Sequence, residues 1–138
     1  MKTKFFLIAL GFVGLTSCDD IFNEDTTTAD GSVPSINSQA PAQKSAYLSN
    51  QTIPVQFYVI DKDKVNELEV HVTKTGNGEL AAQEVFGFRQ TPNRTGVTID
   101  TTFNAAGLTP GNYQLTVTAV DGRTNRSVQT TDFTVNNY

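Results

Sequence analysis

The stretch GLTPGNYQLTVTAVDG, residues 107–122, decides the fold. Pro110 and Gly111 form a turn dipeptide, because proline presets one backbone angle and glycine tolerates conformations closed to other residues. The next residues alternate in polarity, as expected for a strand with one buried face. The apolar positions on that face are Tyr113, Leu115, Val117 and Ala119. An Asp-Gly pair at 121–122 ends the run. The stretch therefore predicts a half-buried β-strand between two turns.

Similar short runs extend outward in both directions, separated by turn residues. Pro34 lies in the first run, which indicates an edge strand, since proline cannot donate to a sheet. In the last run Val128 and Phe133 fall on opposite faces, which predicts a β-bulge between them. The sequence predicts about seven strands and no helix, at residues 33–36, 52–60, 67–74, 80–88, 97–103, 114–120 and 127–135.

The corner formed by Leu108, Pro110, Gly111 and Tyr113 resembles the one before the penultimate strand of fibronectin type III and bacterial immunoglobulin-like (Ig-like) domains. The resemblance implies a single antiparallel β-sandwich over residues 33–138. It also implies that Tyr113 packs inward and hydrogen-bonds nearby backbone, as in a tyrosine corner. A fold of this kind carries no information about function.

The amino-terminal residues have the pattern of a signal peptide, which we place at residues 1–17. Lys2 and Lys4 supply positive charge, and residues 5–15 form an apolar run. A run of this length fits the apolar core of a secretory signal. It is too short to span a bilayer, which needs about 20 residues.

The sequence Leu15-Thr16-Ser17-Cys18 resembles a bacterial lipobox. The resemblance implies cleavage before Cys18, lipid on its sulfur and acylation of the new amino group, so that the membrane is a partner through the lipid anchor. The alternatives are an ordinary secretory signal with a chance cysteine and a cysteine buried in the core. Cys18 is the only cysteine, so no disulfide can form within the chain.

Two aspartates, Asp19 and Asp20, follow the cysteine. They resemble the export signal of surface lipoproteins in Bacteroidota, although an aspartate there also resembles the inner-membrane retention signal of enterobacteria. A solvated acidic linker is the third interpretation. We expect an outer-membrane protein that faces the surface rather than the periplasm. Residues 18–32 are polar and rich in threonine and aspartate, which predicts a flexible tether.

Three further aspartates stand at predicted strand ends. Asp61 and Asp63 follow the second strand, and Asp121 ends the sixth. These ends meet at the same end of an Ig-type sandwich, so the carboxylates are candidate calcium ligands. The alternative is that they stabilise turns by bonding nearby backbone. Calcium is the only ion that the sequence suggests, and no other cofactor is expected besides the lipid on Cys18.

Catalysis is not expected. The one histidine, His71, is predicted to face solvent, and Glu67 and Glu69 lie two residues apart on one strand without a sign of burial. A glycosidase would need two carboxyl groups on either side of a groove. Tyr58 and Phe88 are candidates for stacking on sugar rings.

The charge and the motifs together limit the function. A net charge of −4, with two of the ten basic residues in the leader, argues against nucleic acid as a partner. The sequence predicts an anchored, non-catalytic binding or structural accessory with an unidentified protein or glycan partner. The alternatives are a calcium-stabilised adhesion module and a glycan-binding accessory of a surface uptake system.

Overall fold

The computed structural model describes residues 31–76 and 83–138. The signal peptide, Cys18, Asp19, Asp20 and most of the tether lie outside these ranges, as do parts of the predicted turn at 75–78 and of the predicted strand at 80–88. The described residues form seven strands: β1 Ser35–Ala40, β2 Ser45–Leu48, β3 Thr52–Thr75, β4 Gln83–Gln90, β5 Arg94–Asn104, β6 Gly111–Asp121 and β7 Arg126–Asn136. Within these residues no helix is long and apolar enough to cross a membrane.

The long strand β3 belongs to both layers of the fold. Its first part pairs with β1 and β5, and these strands form the first layer. Its second part pairs with β4 and β6 in the second layer. The register shifts between Ile60 and Val65, where the strand passes from one layer to the other. Strand β7 pairs with β6, and β2 joins β7 in parallel, while the other pairs are antiparallel. The predicted all-β sandwich of about seven strands is confirmed.

The core lies between the two layers and contains the inward residues that the alternation predicts. Phe57 and Tyr113 are fully buried, and Tyr113 stacks on Phe133 with ring centroids 5.7 Å apart. Phe86 of β4 stacks on Phe103 of β5 at 5.0 Å, which joins the two layers along one side. Aromatic pairs of this kind add about 0.5–1.5 kcal/mol each to the area they bury.

The structure corrects two predictions about strands and adds one strand that was not predicted. The runs at 52–60 and 67–74 form one continuous strand, β3, because pairing with β5 resumes at Val65 after a register shift. The first strand begins at Ser35, after Pro34, and ends at Ala40. Strand β2 was not predicted, since four residues carry little periodicity and are held by pairing with β7.

The predicted bulge in the last strand is wrong. Strand β7 pairs with β6 along its length without a register shift. The inward positions are taken by Thr131, Phe133 and Val135, whereas Val128 points outward and is 51% exposed. A single exposed valine is common on a protein surface, so the apolar side chain of Val128 did not indicate which face of the strand is buried.

Candidate functional site

Three aspartates meet at the end of the sandwich where β3 changes layers. Asp61 and Asp63 lie in the crossing segment, and Asp121 is the last residue of β6. One carboxylate oxygen from each lies within 4.8 Å of the other two. We call Asp61, Asp63 and Asp121 the aspartate cluster.

The backbone around the cluster is closely interlocked. The Gly122 N–H donates to the carbonyl oxygens of Asp63 at 3.3 Å and Lys64 at 3.1 Å. A Cβ atom at position 122 would lie 2.8 Å from the backbone carbonyl oxygen of Asp63, so only glycine allows this approach. Lys64, whose carbonyl accepts the Gly122 N–H, has a φ of 66°, in the left-handed region.

Asp121 organises the turn that follows it. The carboxylate is fully buried, and its Oδ1 accepts the backbone N–H groups of Arg123 at 2.8 Å and Asn125 at 2.7 Å. Its Oδ2 accepts the Asn125 side-chain amide at 2.8 Å. Burial raises the pKa of Asp121, but the hydrogen bonds from Asn125 and Arg123 and the nearby guanidinium charge outweigh it and lower the pKa below its usual value.

Asp63 is less well satisfied than Asp121. Its side chain is only 4% exposed, and its Oδ2 is buried and accepts no hydrogen bond. The Arg123 Nε lies 3.6 Å from that oxygen, beyond hydrogen-bond distance, and the arginine side chain is 54% exposed. The backbone N–H of Asp63 donates to Asp61 Oδ1 at 2.6 Å, which fixes the two residues relative to each other.

The cluster therefore offers several oxygen ligands in a small volume. Carboxylate oxygens are the ligands that calcium and magnesium prefer, and buried carboxylates are costly unless they are paired or coordinate a metal. The sequence-predicted calcium site thus has its three residues together, although metal binding stays a prediction.

The tyrosine corner (Leu108, Pro110, Gly111 and Tyr113) lies at the other end of β6. The Tyr113 hydroxyl donates to the Thr109 carbonyl at 2.6 Å, and the ring is buried. Gly111 has a φ of 150°, and a Cβ there would meet the Lys74 side chain at 3.0 Å. Leu108 packs against the core. These contacts close the corner and leave it a structural element.

Comparison with known proteins supports the fold. Neither a protein-family profile nor a curated protein sequence matches the chain. Among solved structures, OgpA from Akkermansia muciniphila matches with a TM-score of 0.51 at 12% identity, over 75% of this chain and 29% of that one. This likeness supports the all-β sandwich fold of the chain.

Two further solved structures match this chain with TM-scores below 0.5. The fibronectin(III)-like modules of CbhA from Clostridium thermocellum match at 15% identity and a TM-score of 0.49, over 76% of this chain and 47% of that one. Murine CRIg matches at 8% identity and a TM-score of 0.49, over 78% of this chain and 99% of that one. The chain therefore spans less than half the length of the CbhA and OgpA chains.

The remaining candidate residues lie apart from the aspartate cluster. The His71 Nδ1 is 2.7 Å from Glu84 Oε2 on the neighbouring strand β4. Glu67 and Glu69 both form ion pairs with Arg89, the second at 2.7 Å. These three side chains thus form cross-strand pairs, which stabilise a sheet surface.

The two aromatic candidates differ in exposure. Tyr58 points out of the first layer and is 37% exposed. Phe88 is half-buried and packs edge-on against Phe86 at 5.9 Å, so it forms part of the border of the core. Tyr58 is therefore the better placed of the two for contact with a partner.

Sequence reasoning missed two residues of the site, Arg123 and Asn125. Both bind the Asp121 carboxylate through their backbone N–H groups. The run Asp121 to Asn125 is a short polar turn, and an aspartate that precedes such a turn often bonds the backbone two residues on. That signal could have identified Arg123 as a neighbour of the cluster.

Proposed function

We propose that this protein is a lipid-anchored, non-catalytic accessory module of a bacterial cell envelope. Its sandwich domain binds a protein or glycan partner or supports an assembly. The observation that carries the proposal is the order of the leader: Lys2 and Lys4, an apolar run, and the lipobox-like sequence that ends at Cys18. The sandwich begins shortly after a polar tether, as expected for a domain held at a membrane.

Lipid on Cys18 provides the anchor. Each buried CH₂ group adds about 0.8 kcal/mol, so two or more acyl chains hold a water-soluble domain stably at a bilayer. Asp19 and Asp20 directly after the anchor favour the outer membrane, with the domain on the cell surface.

The pairing of the polar side chains supports a non-catalytic role. A general acid or base needs a group that is available to a substrate and has a suitable pKa. His71 is engaged by Glu84, and Glu67 and Glu69 share Arg89. These groups, the ones that the sequence offered for acid–base chemistry, are occupied in pairing two strands.

The outer face of the first layer is the contact surface that the structure supports best. Tyr58 and Ile60 are both exposed there, on the same side of β3. Their cross-strand partners on β5 are the small residues Thr98 and Gly96, which leave the two apolar side chains accessible. A tyrosine offers a flat apolar ring and a polar hydroxyl, which suits contact with a sugar or a protein.

Lipidation is tested by labelling cells with an alkyne-bearing palmitate analogue and separating membranes. The wild-type chain is expected to carry the label and to sediment with the outer membrane. Cys18→Ala is expected to lose both properties. Ser17→Ala is the matched control, because alanine keeps a small residue before the cysteine and lipidation should persist.

Protease treatment of intact cells then tests the orientation. Cleavage of the lipidated protein on intact cells supports display on the surface, whereas protection would place the domain in the periplasm. Label or membrane attachment in the Cys18→Ala variant would overturn the lipid anchor.

A further inference from the structure

The aspartate cluster contains a buried acceptor that the protein itself leaves unused. Asp63 Oδ2 is buried and accepts no hydrogen bond, although its side chain is 4% exposed. Leaving a buried charged oxygen without a hydrogen bond is unfavourable, and buried carboxylates are usually paired or bound to metal. Asp63 Oδ2 therefore has an acceptor capacity that no hydrogen bond from the described residues uses.

The existing positive partner does not satisfy this oxygen. The Arg123 Nε is 3.6 Å from Asp63 Oδ2 and donates no hydrogen bond to it. More than half of the arginine side chain is exposed, so water screens its charge and allows it to move away. An incoming cation can replace Arg123 without disturbing a buried hydrogen bond.

The other two aspartates complete a set of hard oxygen ligands. One oxygen of each carboxylate lies within 4.8 Å of the others, and Asp121 Oδ2 accepts a single N–H, which leaves it a second lone pair. Their backbone is fixed by the Gly122 N–H, which bonds the carbonyls of Asp63 and Lys64. The site is thus preorganised by two segments that are distant in sequence.

We propose that Asp61, Asp63 and Asp121 form a calcium-binding site at the end of the sandwich where the chain enters the domain. The ligands are all oxygens, which selects a hard cation over zinc or copper. Calcium accepts six to eight ligands in irregular geometry, whereas magnesium requires a nearly ideal octahedron at about 2.0–2.1 Å. Three carboxylates held by two separate segments suit the looser geometric requirement of calcium better.

The position of the site links the cation to the start of the domain. The Asn125 side-chain amide bonds Asp121 Oδ2 and also donates to the Ser32 carbonyl at 3.4 Å. Calcium at the cluster would therefore stabilise both the crossing of β3 and the point where the chain joins the sandwich.

The first test uses the full chain in detergent, stripped with chelator and titrated with calcium in a calorimeter. Extracellular calcium modules bind with dissociation constants of about 0.1–1 mM. In about 10 mM calcium we expect the thermal midpoint to rise by about 5 °C or more relative to chelator. No heat of binding and an unchanged midpoint would overturn the proposal.

Matched variants test the ligands. Asp63→Asn keeps the shape and removes the charge, and should weaken calcium binding by about tenfold or more. Asp100→Asn removes a charge from the exposed face of β5 and should bind as the wild type does. Equal binding by Asp63→Asn and the wild type would overturn the assignment, as would equal losses in the two variants.

Two controls complete the design. Circular dichroism in chelator checks that Asp63→Asn is folded; if it is not, Asp61→Asn replaces it, because the asparagine oxygen can still accept the Asp63 N–H. Magnesium is titrated in parallel. A rise in midpoint as large as that with calcium would contradict the preference for calcium.

Discussion

The two ends of β6 are built in opposite ways. At Tyr113 a neutral hydroxyl donates to one carbonyl, and the ring fills the core beside Phe133. At Asp121 a buried carboxylate accepts three N–H groups from the following turn and lies against two further carboxylates. At the first end the buried hydroxyl has its hydrogen-bond partner within the chain. At the second end a buried carboxylate oxygen of Asp63 has no hydrogen-bond donor among the described residues.

This difference separates a structural turn from a candidate binding site. In the tyrosine corner the buried polar group that closes the turn has its partner, so substitutions there should affect stability and nothing else. In the aspartate cluster a buried oxygen of Asp63 has no hydrogen bond, so stability there should depend on what the solvent supplies.

The largest effect is expected from Tyr113→Ala. Removing a fully buried aromatic ring leaves a cavity beside Phe133, and such changes cost about 3–5 kcal/mol of unfolding free energy. Urea unfolding followed by circular dichroism measures the loss. Tyr138→Ala is the control, because that ring is 87% exposed and should change the free energy by less than about 0.5 kcal/mol. Comparable losses in the two variants would contradict the role of Tyr113 in the core.

Gly122→Ala should be the next most disruptive change. The new Cβ would lie 2.8 Å from the Asp63 carbonyl oxygen, so the two interlocked segments must separate. Overpacking of this kind costs about 1–3 kcal/mol. Gly96→Ala offers the comparison, since its Cβ would meet Ile60 at an ordinary 4.0 Å. The interlock is refuted if both alanine variants unfold at the same urea concentration as the wild type.

Tyr113→Phe should cost about 1 kcal/mol, because it removes the hydrogen bond to Thr109 and keeps the ring. Tyr47→Phe is the matched variant: that ring also packs on Phe133, but its hydroxyl makes no hydrogen bond within the described residues. We expect Tyr47→Phe to leave the urea midpoint unchanged. A larger loss for Tyr47→Phe than for Tyr113→Phe would reverse the assignment.

The smallest effect is a pH dependence at Asp121. Its folded pKa lies below the unfolded value of 3.8, so acid protonates the unfolded chain first. The stability that this carboxylate contributes is present above that value and is lost as the pH falls through the folded pKa. Thermal midpoints measured in chelator between pH 2 and 6 should therefore fall more steeply for wild type than for Asp121→Asn. Parallel curves would contradict the lowered pKa.

Much of the fold follows from local patterns. The alternation at Leu115, Val117 and Ala119 assigns the buried face of β6, because successive side chains of a strand point to opposite faces. The same rule failed at Val128, since an apolar residue on the outer face carries the same signal as one in the core. Strand β2 was invisible for a related reason: four residues hold too few alternations to predict a strand.

The candidate site was predictable only as a set of residues. The sequence places Asp61 and Asp63 after one strand and Asp121 after another, and an Ig-type topology brings those ends together. It does not reveal that both oxygens of Asp121 accept N–H groups from the turn after it, while Asp63 retains a buried oxygen without a hydrogen bond. That distinction depends on which N–H groups the backbone directs at each carboxylate.

By itself the sequence determined the strand periodicity, the corner at Tyr113 and the prediction of a lipid anchor at Cys18, because each depends on neighbouring residues along the chain. The tertiary structure alone decided that β3 passes through both layers and that three carboxylates lie within 4.8 Å. Contacts between distant segments depend on register and chain reversal, and a slip of one residue would turn these side chains to the opposite face.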